Sequence, residues 1–323
     1  MKHWRMSLLL LTLFGILVGA FLATQTAVNS HLKSYLSSTF LASFISFTIG
    51  TLFLVVIMIV TGQSVFISLN TFADYPFWIW IGGILGVVTL TVNMFLFKEL
   101  GSVEAAILPI FGNIIMGMMI DHFGWYYTDL HPFDWMRLFG VIFLILGILI
   151  AVVLRNYIYN RNNIVLQDKE QNEAKKWMWR LIGIAAGMGT ATQVAVNGYL
   201  GIVLESKTHS AFISFLVGMM ALLVVVLVRR DNMKEIVNPV KAKAPMFVWI
   251  GGLLGAGFVL GNVLLANTIG TGQTVVLTLF GMMIGSTIIQ QFGLFKSIKV
   301  HTSVVQIAGL VLMLVGVVFI KLL

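Results

Sequence analysis

The stretch Ala23-Thr24-Gln25-Thr26-Ala27-Val28-Asn29 returns as Ala191-Thr192-Gln193-Val194-Ala195-Val196-Asn197, with only its fourth residue changed. A match of this kind within one chain is an internal duplication, and it decides how everything else is read. In each copy Gln and Asn stand four apart near the end of a long apolar segment, so a helix projects both amides from one face. Working outward, Phe44-Ile45-Ser46-Phe47 with Gly50 returns at Phe212-Ile213-Ser214-Phe215 with Gly218, again 168 residues later. Trp80-Ile81-Gly82-Gly83 with Gly86 returns at Trp249-Ile250-Gly251-Gly252 with Gly255 at an offset of 169, which one inserted residue explains. Asn93, Gly101, Gly112, Phe123-Gly124, Gly140 and Gly147 keep that offset, matching Asn262, Gly270, Gly281, Phe292-Gly293, Gly309 and Gly316.

The solvent of this chain is a bilayer. Of its 323 residues 59% are hydrophobic and 10% charged, with mean hydropathy +0.99, against about 25% charged in an average soluble domain. The run from Ala244 to Phe295 holds 52 residues with no Asp, Glu, Lys, Arg or His. As one helix it would reach about 78 Å, whereas a bilayer core of about 30 Å needs about 20 residues. The run must fold back, and Asn267-Thr268-Ile269-Gly270-Thr271-Gly272 is the expected turn. Ten spans follow, at 7–30, 38–61, 78–98, 103–121, 135–154, 177–198, 210–228, 246–266, 271–291 and 302–321. The fold expected is an all-α polytopic membrane protein with ten transmembrane helices.

Five spans fall in each half, so the second half enters the membrane from the opposite side and the two repeats are inverted. The organisation is a first five-span repeat at 1–154, a charged linker at 155–176, and a second five-span repeat at 177–323. The start, Met1-Lys2-His3-Trp4-Arg5, resembles a secretory signal, but Gly183 to Leu200 repeats Gly15 to Leu32 deep in the chain, which predicts a retained first span. Fifteen of the twenty Lys and Arg residues fall on the linker side, so the positive-inside bias puts the linker in the cytoplasm and both termini outside a cell (plasma) membrane. The net charge of +8 flanks apolar spans and forms no stripe, which argues against nucleic acid. The Trp and Tyr residues at span ends, among them Trp78, Trp125, Tyr126 and Tyr127, read as an interfacial belt.

Gly-Ala-Phe-Leu-Ala-Thr-Gln-Thr-Ala-Val-Asn at 19–29, Trp-Ile-Trp-Ile-Gly-Gly-Ile-Leu-Gly at 78–86 and Ile-Asp-His-Phe-Gly at 120–124 resemble the YdcZ-type family of the drug/metabolite transporter superfamily. The resemblance implies five-span units that pair antiparallel, here fused, and a secondary transporter with its pathway between the halves. The second half departs from the pattern at Gln290-Gln291, where the first has Asp121-His122.

There is no Walker, zinc-protease or serine-hydrolase motif, so neither an ATP motor nor an enzyme is expected, nor a cofactor. The absence of cysteine excludes disulfides and thiolate metal sites. The substrate pathway is assigned to Gln25, Asn29, Asn93, Gln193, Asn197 and Asn262. The alternative for these amides is interhelical hydrogen bonding, worth about 0.6–2 kcal/mol. Glu104, with Asn113 and its counterpart Gln273, is the candidate for ion coupling or polar lining; Ser102 reads as an N-cap that would place Glu104 in a first turn, and Pro109 as a kink. Asp121, His122, Asp129, His131 and Asp134 cluster around one loop, but their spacing matches no metal motif, and caps or solvated loop roles suffice. Gln25/Asn29 are expected toward the cytoplasmic end and Gln193/Asn197 toward the outer end, as two gates.

The reading is a secondary active transporter of a small organic solute or metabolite, working by alternating access between inverted repeats. Its partners are that substrate, membrane lipid, a coupling ion (proton or sodium) and, compatible with the family, a second copy in a homodimer. The alternatives are a lipid or lipid-linked flippase, which would open sideways to lipid, and a non-transporting membrane scaffold, which would show a closed, dry contact at the amides.

Overall fold

The computed structural model describes residues 2–132, 134–154, 157, 173–297, 299 and 301–322. Most of the charged linker expected at 155–176 lies outside the described residues. The principal helices are α1 (Lys2–Lys33), α2 (Thr39–Val60), α3 (Gly82–Phe123), α4 (Trp135–Ile148), α5 (Glu173–Val203), α6 (Lys207–Val228), α7 (Gly251–Ile269), α8 (Thr271–Phe292) and α9 (Val304–Leu322), and no strand occurs among the described residues. Seven segments are long and apolar enough to cross a membrane: Leu9–Lys33, Thr39–Val60, Glu104–Phe123, Trp135–Leu154, Lys207–Val228, Met246–Ile269 and Thr271–Phe292. Gly82–Leu96 and Val304–Ile320 are shorter apolar helices.

Helix ends follow local chemistry. Ser38 and Ser206 cap α2 and α6, accepting from Leu41 N at 3.4 Å and His209 N at 3.2 Å, and Asp134 caps α4 by accepting from Arg137 N at 2.8 Å. The expected fold-back lies at Gly270, whose φ of +85° and ψ of 164° break the chain between α7 and α8. Only glycine takes that conformation without strain.

The corresponding place in the first half behaves differently. Spans expected at 78–98 and 103–121 join in one helical run of 42 residues, α3, which as a straight rod would be about 63 Å long. It is not straight. A Cβ at Gly183 on α5 would lie 3.0 Å from Leu96 Cδ1 and 3.1 Å from Leu108 Cβ, although twelve residues of straight helix rise about 18 Å. The first leg of α3 runs antiparallel to α5, Gly82 facing Asn197 and Leu96 facing Gly183, and the second leg runs back, Leu108 at Gly183 and Tyr127 beyond it at Tyr199. The run therefore reverses between Leu96 and Glu104, and its backbone stays helical at Ser102, so no separate N-cap starts there.

Helices pack across the duplication. α1 lies against α7 and α8, α5 against α3, α2 against α7, α6 against α3, and α4 against α9. Phe47 of α2 and Phe215 of α6 stack at 4.8 Å. Gly15 and Gly19 of α1 meet Leu277, Thr278 and Met282 of α8; Gly183 and Gly187 of α5 meet Leu108 and Pro109 of α3. Small residues at such crossings let backbones approach closely, which is what holds helices together in lipid.

Two ends of the bundle can be told apart. At the linker end, Lys175 Nζ of α5 pairs with Glu99 at 2.7 Å, Phe95 stacks on Trp179 at 6.0 Å, and Met94 packs against a buried cluster that includes Leu32, Leu36, Val226 and Val248. At the distal end, Asp121 meets the start of α8 and Tyr127 meets Tyr199.

Candidate functional site

The twin amides occupy equivalent contacts. Asn29 Nδ2 donates to Ser46 Oγ at 3.1 Å, and Asn197 Nδ2 donates to Ser214 Oγ at 3.1 Å. Neither Oδ1 has a conventional hydrogen-bond partner. Each instead lies where a Cβ would stand on a glycine of the other half, Gly251 for Asn29 and Gly82 for Asn197. In glycine that direction carries a hydrogen, so both oxygens receive a Cα–H contact, a geometry worth about 0.5–1 kcal/mol. It offsets part of the roughly 1–3 kcal/mol that an unpaired buried acceptor costs. Gln25 and Gln193 seat their amides one turn away, against Gly255 and Gly86. The geometry found at Asn29 and Asn197 is thus close helix packing, with Ser46 and Ser214 as partners that the sequence marks only as repeated positions.

The other expected residues fall in unlike places. Asn93 is exposed, whereas its counterpart Asn262 is 4% exposed and donates to Phe258 O at 3.0 Å. Ile84, Val88 and Phe95 form the outward stripe of the first leg of α3. At 100° per residue Asn93 lies about 140–180° from them, so it is open on the face that packs against α5. The same inequality recurs on α1 and α5: Thr26 and Ser30 are exposed, while Val194 and Gly198 are buried. Gln273 is half-buried in the first turn of α8, and Asn113 is buried with its Oδ1 unpartnered.

Glu104 is not in a capped first turn. Arg180 Nε donates to its Oε2 at 2.7 Å and Arg180 Nη2 to its Oε1 at 3.1 Å, a two-point charge-assisted pair. The Arg180 guanidinium also lies 4.9 Å from the Trp177 ring centroid. Nothing in the sequence points to a partner 76 residues away. Asp121 is fully buried, and its carboxylate accepts from Thr271 N and Gly272 N, both at 2.8 Å, at the N-terminus of α8. A carboxylate complements the positive end of a helix, so Asp121 pins the second half to the end of α3. His131 N donates to Asp121 O at 2.8 Å, and Arg137 Nη1 to His131 O at 2.9 Å. Among the described residues no group of three or more His, Asp or Glu is placed to hold a metal ion.

A family model described as "Putative inner membrane exporter, YdcZ" matches residues 10–150 and again residues 178–319, most of the chain in two repeats. This chain belongs to the YdcZ family. A comparison with curated proteins finds no match. One solved crystal structure, 14% identical, aligns over 97% of this chain and 98% of its own with a TM-score of 0.68. At that identity it shows a common fold alone.

In this YdcZ-family protein aromatic rings that composition had suggested for a lipid belt meet one another at the distal end. Tyr199 of α5 stacks on Tyr127 at 4.7 Å and on Trp78 at 5.6 Å, and Trp78 meets the edge of Tyr126 at 5.5 Å. Tyr126, Tyr127 and Tyr199 line a cavity of about 40 Å³ together with Thr128, Asp129, Ala195 and Asn267. Tyr126 and Tyr127 have φ of 59° and 58°, a left-handed conformation that costs a non-glycine residue about 1–2 kcal/mol. The rings are held at that cost.

Proposed function

We propose that the protein is a secondary active transporter that moves a small organic solute or metabolite out of the cell by alternating access between two inverted five-helix repeats. Its ten spans would be those read from the sequence, with the two legs of α3 as the third and fourth. The observation that carries this reading is the inequality of equivalent positions. One duplicated sequence holds Asn93 open at the linker end and Asn262 buried, as alternating access requires of two halves that exchange conformations. With the linker in the cytoplasm, this state is open inward and closed outward. The family description supplies membrane export; the solute is a proposal drawn from the exposed, polar and uncharged side chains of Asn93, Thr26 and Ser30. Glu104 is held by Arg180 at the linker end, so it can couple an ion only when that pair opens.

The closed contacts of Asn29 and Asn197 favour a second reading, a non-transporting membrane scaffold. One experiment separates the two. Purified protein is screened against a panel of metabolites for thermal stabilisation, since a ligand that binds only the folded state raises apparent stability. Each hit is then tested for protection of a single cysteine at Asn93 and for flux in proteoliposomes. Transport predicts a stabilising solute that shields Asn93→Cys and crosses the membrane. A scaffold predicts neither shielding nor flux.

A further inference from the structure

The segment that joins α6 to α7 lies between two membrane spans, Lys207–Val228 and Met246–Ile269, so both of its ends stand at a membrane surface. It holds a 3-10 turn, Met233–Val237, followed by one helical turn, Asn238–Lys241. Met233, Ile236 and Ala244 pack against the buried cluster that includes Leu32, Leu36 and Val226, and Pro239 is buried. That inner side anchors the segment across the linker end of the bundle. Its two acids turn inward as well. Asp231 accepts from Ser38 Oγ, and Glu235 Oε2 accepts from Ser37 N at 2.7 Å, both on the turn between α1 and α2.

The bases are left outside. Arg230, Lys234, Lys241 and Lys243 are exposed, and none has an ion-pair partner among the described residues. Exposed Val237, Val240 and Met246 alternate with them. Lys296 joins this set: it is exposed and follows Phe295, whose ring meets Phe247 at 5.6 Å. The equivalent loop of the first half, residues 61–77, contains no Lys or Arg and a single acid, Asp74, and the counterpart of Lys296 is Tyr127.

Backbone geometry separates this pattern from a mere charge count. Arg230 has φ of 58° and Lys243 of 50°, a left-handed conformation that is strained for any residue with a Cβ. At the position equivalent to Arg230 the first half has Gly62, with φ of 71°. The two turns close alike: Gly62 N donates to Ile59 O at 3.1 Å and Gln63 N to Met58 O at 2.8 Å, while Arg230 N donates to Leu227 O and Asp231 N to Val226 O, each at 3.0 Å. Glycine makes such a helix end without strain. The positive-inside bias asks for bases on one side of the membrane but for no particular backbone. A base held in the strained position of a turn that glycine makes freely therefore points to a function for its side chain.

We propose that this face binds the phosphate headgroups of anionic phospholipid in the leaflet on the linker side. Arg230, Lys234, Lys241, Lys243 and Lys296 meet the phosphates, and Val237, Val240 and Met246 enter the boundary of the acyl chains. Bases interleaved with apolar side chains at a membrane surface have this affinity. The distal loop lacks the bases, so the binding is one-sided. It does not depend on whether the protein transports a solute.

The full-length protein in a neutral detergent is titrated with phosphatidylglycerol, phosphatidylcholine or inorganic phosphate, with bound lipid counted by native mass spectrometry and the apparent melting temperature followed alongside. Phosphatidylglycerol is expected to bind and to raise the melting temperature, less so at high salt, and phosphatidylcholine and inorganic phosphate to do neither. Lys234→Gln, Lys241→Gln and Lys243→Gln are each expected to weaken binding about fivefold, the scale of one base at an anionic surface, and all three together about a hundredfold, with the lipid-free melting temperature unchanged. Arg230→Gly is expected to weaken binding while raising the lipid-free melting temperature, because it puts glycine in the left-handed turn. Lys207→Gln, exposed at the distal start of α6, serves as the control and is expected to bind like the unaltered chain. Retention of phosphatidylglycerol by the triple variant, equal binding of phosphatidylcholine, or the same stabilisation by inorganic phosphate overturns the proposal. An equal loss in Lys207→Gln overturns it too, since binding would then follow net charge rather than this face.

Discussion

A methyl group at Gly82 would collide with Asn197 Oδ1, and one at Gly251 with Asn29 Oδ1. Both substitutions force an amide out of its seat and open its bond to serine, so Gly82→Ala and Gly251→Ala are each expected to destabilise by about 1–3 kcal/mol, the usual cost of overpacking. Gly189→Ala is the control: its added methyl would meet only Thr89 Oγ1 at 3.6 Å, an ordinary contact. Apparent melting temperatures in one detergent check the contrast, and equal values for Gly82→Ala and Gly189→Ala would remove the packing account. At this scale the sequence marked the right residues without their partners. The Gln/Asn pairs stood out because they are polar, duplicated and four apart. That they seat on the other half's glycines is a fact of distance, which spacing along one helix does not contain.

Between elements, the reversal of α3 is held to the start of α5 by Glu99–Lys175 and Glu104–Arg180, the latter with side chains 38% and 24% exposed. Partly exposed pairs of this kind are worth about 1 kcal/mol or less, so Glu104→Gln should lower stability only slightly. Arg180→Gln should cost more, because it also removes the stacking on Trp177. Ion-driven uptake in proteoliposomes is expected to persist in Glu104→Gln, as befits a clasp; its loss would make Glu104 the coupling group. The break at Gly270 was legible, since 52 uncharged residues cannot cross a bilayer once. In the first half both legs were legible as apolar segments. Their continuous helical backbone was not, because residues 99–102 read as a turn unless Lys175 is known to pair with Glu99 and Arg180 with Glu104.

For the whole molecule, glycine faces that meet across the duplication leave each half with its packing surfaces uncovered when alone. Residues 1–154 and 177–323 expressed separately are expected to be degraded or aggregated, and co-expressed to co-purify as a folded complex; a stable monomeric half would contradict this. Length, hydropathy and the duplication by themselves determined a helical membrane protein of two related repeats, because burial in lipid constrains composition and repeat offsets survive in the text of the chain. Only the tertiary structure decided that the amides pack rather than stand free, that Glu104 has a partner, and that Asn93 and Asn262 differ in exposure. Equivalent sequences were placed in unequal surroundings, and that inequality belongs to the conformation of the assembled halves, which neither repeat encodes alone.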